Sequence, residues 1–127
     1  MAPRKPPAPK AVSSDRKIKA IIFGPPGHGK SHFLGTATLD ERAAPIAILD
    51  FEGGVLDVLQ GLPGGPNGPL WYHIPIQSWD DFNEAYARLE ANEEGFNAVG
   101  IDSISETHIF ALMNLLDDKT IRRDDMN

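Results

Sequence analysis

Residues 24–31 constrain the fold of this chain more than any other segment. They read Gly-Pro-Pro-Gly-His-Gly-Lys-Ser and match the pattern G-x-x-x-x-G-K-[ST] at every fixed position. The match follows a short apolar run, residues 18–23, and precedes a segment in which apolar residues have helical spacing. The motif requires this context, so the sequence predicts a strand, a glycine-rich turn and a helix in succession.

The residue types in this turn predict a phosphate site. The glycines allow positive φ and a close approach of the backbone to a phosphate, so that loop N–H groups and the helix N-terminus bind the anion. Lys30 then supplies charge to the β- and γ-phosphates, and the Ser31 hydroxyl is a ligand for Mg²⁺. The alternative is a Gly/Pro turn without a ligand. The predicted cofactor-binding residues are Gly24, Pro25, Pro26, Gly27, His28, Gly29, Lys30 and Ser31.

Apolar runs alternate with helical patterns along the chain, which predicts an α/β fold with a parallel sheet and flanking helices. The predicted strands are residues 18–23, 46–50, 70–76 and 98–102. The predicted helices are residues 31–39, 55–59 and 78–91, and a last helix after Ser103. Pro75 predicts an edge position for the third strand, because proline cannot donate a ladder hydrogen bond.

The last two predicted helices have caps and apolar faces. Ser78 and Ser103 are predicted N-caps, each with an acidic residue, Asp81 or Glu106, three positions later. The spacing i, i+3, i+4, i+7 predicts one core face in each helix. These faces comprise Phe82, Ala85, Tyr86 and Leu89 in the first helix, and Ile109, Leu112, Met113 and Leu116 in the second.

Charge is distributed unevenly along the chain. Residues 1–16 are rich in Pro, Ala, Lys and Ser, so we expect a disordered tail followed by one domain at residues 17–127. Residues 1–19 contain six basic residues and one acid, whereas residues 20–127 contain six basic residues and 17 acids. An acidic body binds nucleic acid poorly, because such affinity depends on Lys and Arg. The basic tail is either an arm for nucleic acid or a partner, or a solubilising leader.

The composition excludes several classes of protein. The chain has no cysteine, which excludes a disulfide scaffold and a zinc-thiolate site. No apolar run approaches the roughly 20 residues that cross a bilayer. The N-terminus lacks the apolar segment of a secretory signal. We therefore expect a cytoplasmic protein with no membrane partner.

Two carboxylates that follow predicted strands are candidates for the chemistry. Asp102 ends the run Asn-Ala-Val-Gly-Ile-Asp and is expected at the carboxyl edge of the sheet, where it is the predicted Walker B acid that holds Mg²⁺. The next residue is Ser103 and not Glu, so hydrolysis would need another carboxylate to polarise the attacking water. We predict Glu52, which follows the second strand and precedes two glycines, as this catalytic base; the alternative is a solvated acid in a loop. Asp50 is expected to end that strand or to orient the loop.

The histidines have no predicted catalytic role. His28 and His32 are four residues apart, but no third metal ligand lies near them in the sequence. We interpret His28 as a variable loop residue and His32 as a helix-surface residue. His73 and His108 have no assigned role.

Three segments in this order resemble the RecA-like ATPases, and more closely the short phage-encoded RecA-like ATP-binding proteins of recombination and single-strand annealing. The segments are residues 24–31, residues 49–54 (Leu-Asp-Phe-Glu-Gly-Gly) and residues 99–106 (Val-Gly-Ile-Asp-Ser-Ile-Ser-Glu). The resemblance covers about residues 18–116. It implies ATP and Mg²⁺ as cofactors, Lys30 and Ser31 as ligands of phosphate and metal, and Asp102 as the Walker B acid. It also implies Glu52 as the catalytic glutamate, with Lys30 stabilising charge.

The resemblance also implies a longer domain. In RecA-like cores another strand lies between the Walker B strand and the P-loop strand, and later loops contact single-stranded DNA. We therefore interpret residues 17–127 as the N-terminal part of such a domain, incomplete at its C-terminal end. We expect unpaired strand flanks, or direct pairing of the first and fourth strands, with marginal stability and a tendency to aggregate. Expected partners are ATP, single-stranded DNA (through the basic tail or absent regions) and further copies of the chain.

Three functions remain open from the sequence. The first is a RecA-like ATPase that hydrolyses Mg-ATP slowly in phage DNA recombination or replication, in the host cytoplasm. The second is a nucleotide-binding module without turnover, which the acidic body and the absent DNA loops favour. The third is a P-loop kinase or GTPase, although the chain has neither the Asn-Lys-x-Asp guanine motif nor a basic lid segment.

Overall fold

The computed structural model describes residues 17–25 and 27–125, with side chains as far as residue 117. The predicted disordered tail, residues 1–16, lies outside the described residues, as does Pro26. The elements in chain order are α1 (Lys30–Gly35), β1 (Ile46–Asp50), α2 (Val55–Leu59), β2 (Trp71–Pro75), α3 (Trp79–Ala91), β3 (Ala98–Asp102) and α4 (Ile104–Asp125). A 3-10 turn, Thr36–Leu39, extends α1. No helix within the described ranges is long and apolar enough to cross a membrane.

The sheet has three parallel strands in the order β2-β1-β3, which confirms the predicted α/β class. All five residues of the central strand β1 are buried, as expected for a parallel strand with both faces covered. In the register, Asp50 pairs with Pro75 on one side and with Asp102 on the other. The carboxyl ends of all three strands therefore meet at one edge of the sheet. Pro75 lies on an edge strand, as predicted.

Two apolar clusters form the core. The first contains Ala85 of α3, and Phe82 and Leu89 pack against it. Tyr86, which was expected on the same face, is 59% exposed. The second cluster combines residues of α2 with Ile46, Ile48 and Trp71. The Ser78 hydroxyl accepts a hydrogen bond from the Asp81 N–H at 3.1 Å, which confirms the predicted cap of α3.

The prediction of a strand at residues 18–23 is wrong. The described part of this segment has no regular secondary structure, and Ile18 and Phe23 are 92% and 89% exposed. A buried parallel strand needs a neighbouring strand and a covering layer on each face, and the described sheet ends at β3. Direct pairing of this segment with the fourth predicted strand is therefore also wrong, whereas the expected unpaired flank is present on β3.

The predicted core face of the last helix is also wrong. Its four residues, Ile109, Leu112, Met113 and Leu116, are between 44% and 56% exposed. Phe110 packs against the core instead, with its ring 5.5 Å from that of Phe51. Val99 and Ile101 of β3 are also exposed. The four apolar residues do lie on a helix with the predicted spacing, but within the described residues no layer covers this side of the sheet.

The Gly/Pro-rich loop of residues 61–69 packs against a buried indole. A Cβ atom on Gly65 would lie 2.1 Å from Cε2 of Trp71, a residue that is 0% exposed. Because the indole is rigid and enclosed, it has no room to move away. The contact therefore requires glycine at position 65.

Gly65→Ala is expected to lower the free energy of unfolding by about 1–3 kcal/mol, the usual cost of overpacking a core. The measurement is urea unfolding followed by tryptophan fluorescence. Gly61→Ala is the matched control, because a Cβ there would meet no atom within 4 Å. Equal stability of the two variants would show that the loop yields to the added methyl group.

Candidate active site

The loop of residues 24–31 leads directly into α1. Gly27 and Gly29 have φ angles of 77° and 81°, which L side chains rarely adopt, and Gly29 is the N-cap of α1. Gly24 has no positive φ, so that part of the prediction is wrong for Gly24. No atom lies within 4 Å of the place of a Cβ on any of these three glycines, and the described loop residues before Lys30 are exposed. The loop is therefore open to a ligand.

Lys30 bridges the two ends of this loop. Its Nζ donates a hydrogen bond to the carbonyl oxygen of Gly24 at 2.7 Å. An ammonium group has three donor hydrogens, so it has further hydrogens for phosphate oxygens while it keeps the carbonyl. The side chain thus holds its charge at the loop. Its role toward phosphate stays a prediction.

Ser31 and Asp102 meet although they are far apart in sequence. The Ser31 hydroxyl donates a hydrogen bond to Oδ2 of Asp102 at 2.5 Å across 71 residues. Both oxygens fit one Mg²⁺ shell, because Mg²⁺ prefers oxygen ligands and is usually held by one or two carboxylates with waters and substrate phosphates. Within the described ranges, no group of three or more His, Asp or Glu side chains could hold a metal ion. The remaining ligands would therefore be phosphate and water.

Glu52 is joined to the same edge of the sheet by Ser103. The Ser103 hydroxyl donates to Oε1 of Glu52 at 2.8 Å and accepts from the Glu106 N–H at 3.3 Å. The second contact is the predicted cap of α4, whereas the first was missed, since nothing in the sequence links residues 52 and 103. Because Ser103 directly follows Asp102, the structure brings the predicted base, the predicted Walker B acid and Ser31 together.

Asp50 orients the loop that contains Glu52, which is one of its two predicted roles. Its carboxylate accepts hydrogen bonds from the Gly53 N–H at 2.8 Å and the Val55 N–H at 3.3 Å. A third contact joins its Oδ2 to Nε2 of His73 at 2.8 Å. Sequence reasoning gave His73 no role. The strand register explains the contact, since His73 pairs with Ile48, two residues before Asp50, but no sequence pattern signals that register.

Two further glycines allow α1 to pack closely on β3 and α2. A Cβ on Gly100 of β3 would lie 2.9 Å from Cδ1 of Leu34, and one on Gly35 would lie 2.3 Å from Cδ2 of Leu59. The helix that follows the loop therefore packs closely on the strand that ends in Asp102. Neither contact could be predicted, because a lone glycine in the sequence does not specify which side chain packs against it.

A parallel sheet with a glycine-rich Lys-Ser loop and acidic residues at its carboxyl edge defines a P-loop NTPase-type domain. The family model described as an AAA domain matches residues 16–127, so the chain belongs to the AAA domain family. No match was found among curated proteins or among solved structures. Membership of this family indicates nucleotide binding of the ATPase type.

Proposed function

We propose that this chain is a RecA-like ATPase core that binds Mg-ATP at residues 24–31 and hydrolyses it. The hydrogen bond between Ser31 and Asp102 carries the proposal, because it unites the phosphate loop with the Walker B acid. Glu52 reaches the same place through Ser103. Hydrolysis of a phosphoanhydride needs these three parts within one site.

In the proposed mechanism, each side chain has one task. Lys30 stabilises charge on the β- and γ-phosphates, and Ser31 and Asp102 would hold Mg²⁺, which would supply further positive charge to the phosphates. Glu52 orients the attacking water and accepts its proton, as the γ-phosphorus to bridging-oxygen bond breaks and ADP leaves. One carboxylate oxygen of Glu52 accepts from Ser103, and a carboxylate has a second oxygen with which to bind water. Both contacts are therefore compatible.

The proposed biological role is DNA recombination or replication in a phage, in the host cytoplasm. The resemblance of residues 49–54 and 99–106 to the phage RecA-like proteins supports it. Single-stranded DNA would contact the basic tail, because residues 1–19 contain six basic residues and one acid. A neighbouring copy of the chain would supply an arginine finger. Binding of labelled single-stranded DNA as a function of salt, with and without residues 1–16, tests the role of the tail.

A nucleotide-binding module without turnover is the second candidate. The excess of acids in residues 20–127, 17 against six basic residues, favours it, because an acidic surface repels the phosphates of single-stranded DNA and so offers no place for DNA to act as an activator. Tight ATP binding with no phosphate release, in the presence or absence of single-stranded DNA, would select this function over the first.

Asp102→Asn is expected to reduce the contribution of Mg²⁺ to ATP binding by about 10- to 100-fold, the range for groups that support a metal. The amide oxygen still accepts from Ser31, but the negative charge is lost. The measurement is calorimetric titration with ATP in Mg²⁺ and in EDTA. Asp57→Asn is the control, since Asp57 is exposed on α2. The same Mg²⁺ dependence in all three proteins would contradict the metal site and the hydrolysis built on it.

A further inference from the structure

We propose that His73 is a positioning residue that acts through Asp50 to hold the loop bearing Glu52 in its working conformation. The inference rests on the function proposed above, because it concerns the presentation of the catalytic base. His73 lies on β2, whereas Asp50 ends the neighbouring strand β1. Their contact therefore ties the loop to a strand other than the one from which it emerges.

The contact joins two side chains that are largely withdrawn from water. The Asp50 side chain is 1% exposed and the His73 side chain 12% exposed, and Nε2 of His73 lies 2.8 Å from Oδ2 of Asp50. A buried carboxylate is costly unless hydrogen bonds satisfy its oxygens. The other two donors to Asp50 are loop amides, those of Gly53 and Val55. His73 thus supplies its contact from outside the loop.

The carboxylate of Asp50 determines the course of the loop. Its two oxygens bind the amides on either side of Gly54, and Glu52 lies between Asp50 and the first of these amides. Gly53 has a φ of 85°, so the loop also contains residues with wide conformational freedom. Without the imidazole, only the two loop amides would hold the Asp50 carboxylate, and the contacts that shape the loop would weaken. Glu52 would then be presented less accurately to the attacking water.

The test compares His73→Leu with His73→Gln, because only the Gln side chain has an amide that donates to Asp50. We expect His73→Leu to lower kcat about tenfold or more with KM for ATP nearly unchanged, since misplacing a reacting group by about 1 Å costs up to about 100-fold. His73→Gln is expected to restore most of kcat. His108→Leu, at an exposed position on α4, is the matched control. Thermal unfolding of each variant verifies that it is folded.

A second measurement does not depend on turnover. Hydrogen exchange at the Gly53 and Val55 amides is expected to accelerate in His73→Leu and to stay slow in His73→Gln. Unchanged exchange in His73→Leu, or equal losses of kcat in both variants, would overturn the positioning role. Glu52→Gln is assayed in parallel. If it retains full turnover, the proposed base fails, while the amide exchange still decides whether His73 holds the loop.

Discussion

Glu52→Gln is expected to lower the rate of ATP hydrolysis by about 100-fold or more, the usual contribution of a general base, with no change in ATP affinity. The amide oxygen of Gln still accepts from the Ser103 hydroxyl, so the local hydrogen bond is kept. The amide cannot take a proton from water, however. The loss therefore falls on kcat and not on binding.

The measurement is phosphate release under single-turnover conditions, with ATP affinity determined separately by calorimetry. Glu41→Gln is the matched control, because Glu41 is an exposed glutamate outside the candidate site. Equal rates for the wild type and Glu52→Gln would remove Glu52 from the mechanism. Loss of ATP binding in Glu52→Gln would instead indicate that the carboxylate supports the structure of the nucleotide site.

Lys30→Met is expected to weaken ATP binding by about 100-fold, because hydrogen bonds to charged groups contribute about 1.5–3 kcal/mol and the ammonium also provides a full charge. Methionine keeps an unbranched side chain but removes both the charge and the bond to the Gly24 carbonyl. The loss is expected to be greater for ATP than for AMP, since AMP lacks the β- and γ-phosphates that Lys30 is predicted to contact.

Calorimetric titration of both nucleotides measures this difference. Lys19→Met is the matched control, since Lys19 is exposed and precedes the loop. If Lys30→Met bound ATP as tightly as the control, residues 24–31 would not be the phosphate site. If ATP and AMP lost the same affinity, Lys30 would act on the loop conformation and not on the terminal phosphates.

Local signals in the sequence were sufficient to predict much of the fold. The cap at Ser78 and the strand at residues 98–102 are determined by residues within a few positions in the sequence. Both are found where they were predicted. The apolar run at residues 18–23 is different, because its composition is the same whether or not another strand pairs with it. The apolar spacing of α4 likewise predicts a face that could be buried, but not whether any layer covers it.

The sequence was also sufficient to predict part of the candidate site. The motifs predict that Ser31 and Asp102 lie together at the carboxyl edge of the sheet. The two side chains do meet, although the strand predicted before Ser31 is not formed in the described residues. The contact between His73 and Asp50 depends on the register of β2 on β1. A shift of one residue in this register would move the side chains of β2 to the opposite face of the sheet. No pattern within either strand specifies that register, and the role of Ser103 toward Glu52 depends on loop geometry in the same way.

The Ser103 hydroxyl links the candidate base to the first turn of α4. It has a single proton, which it donates to Glu52, while its oxygen accepts from the Glu106 amide. Hydrogen bonds in such a chain polarise one another, so a change in the bond between Ser103 and Glu52 also changes how strongly Ser103 accepts from the helix. The hydrogen bonding of Glu52 is thereby linked to the first turn of a 22-residue helix. A change in the hydrogen bonding of Glu52 at the sheet edge would therefore alter the N-terminal cap of α4.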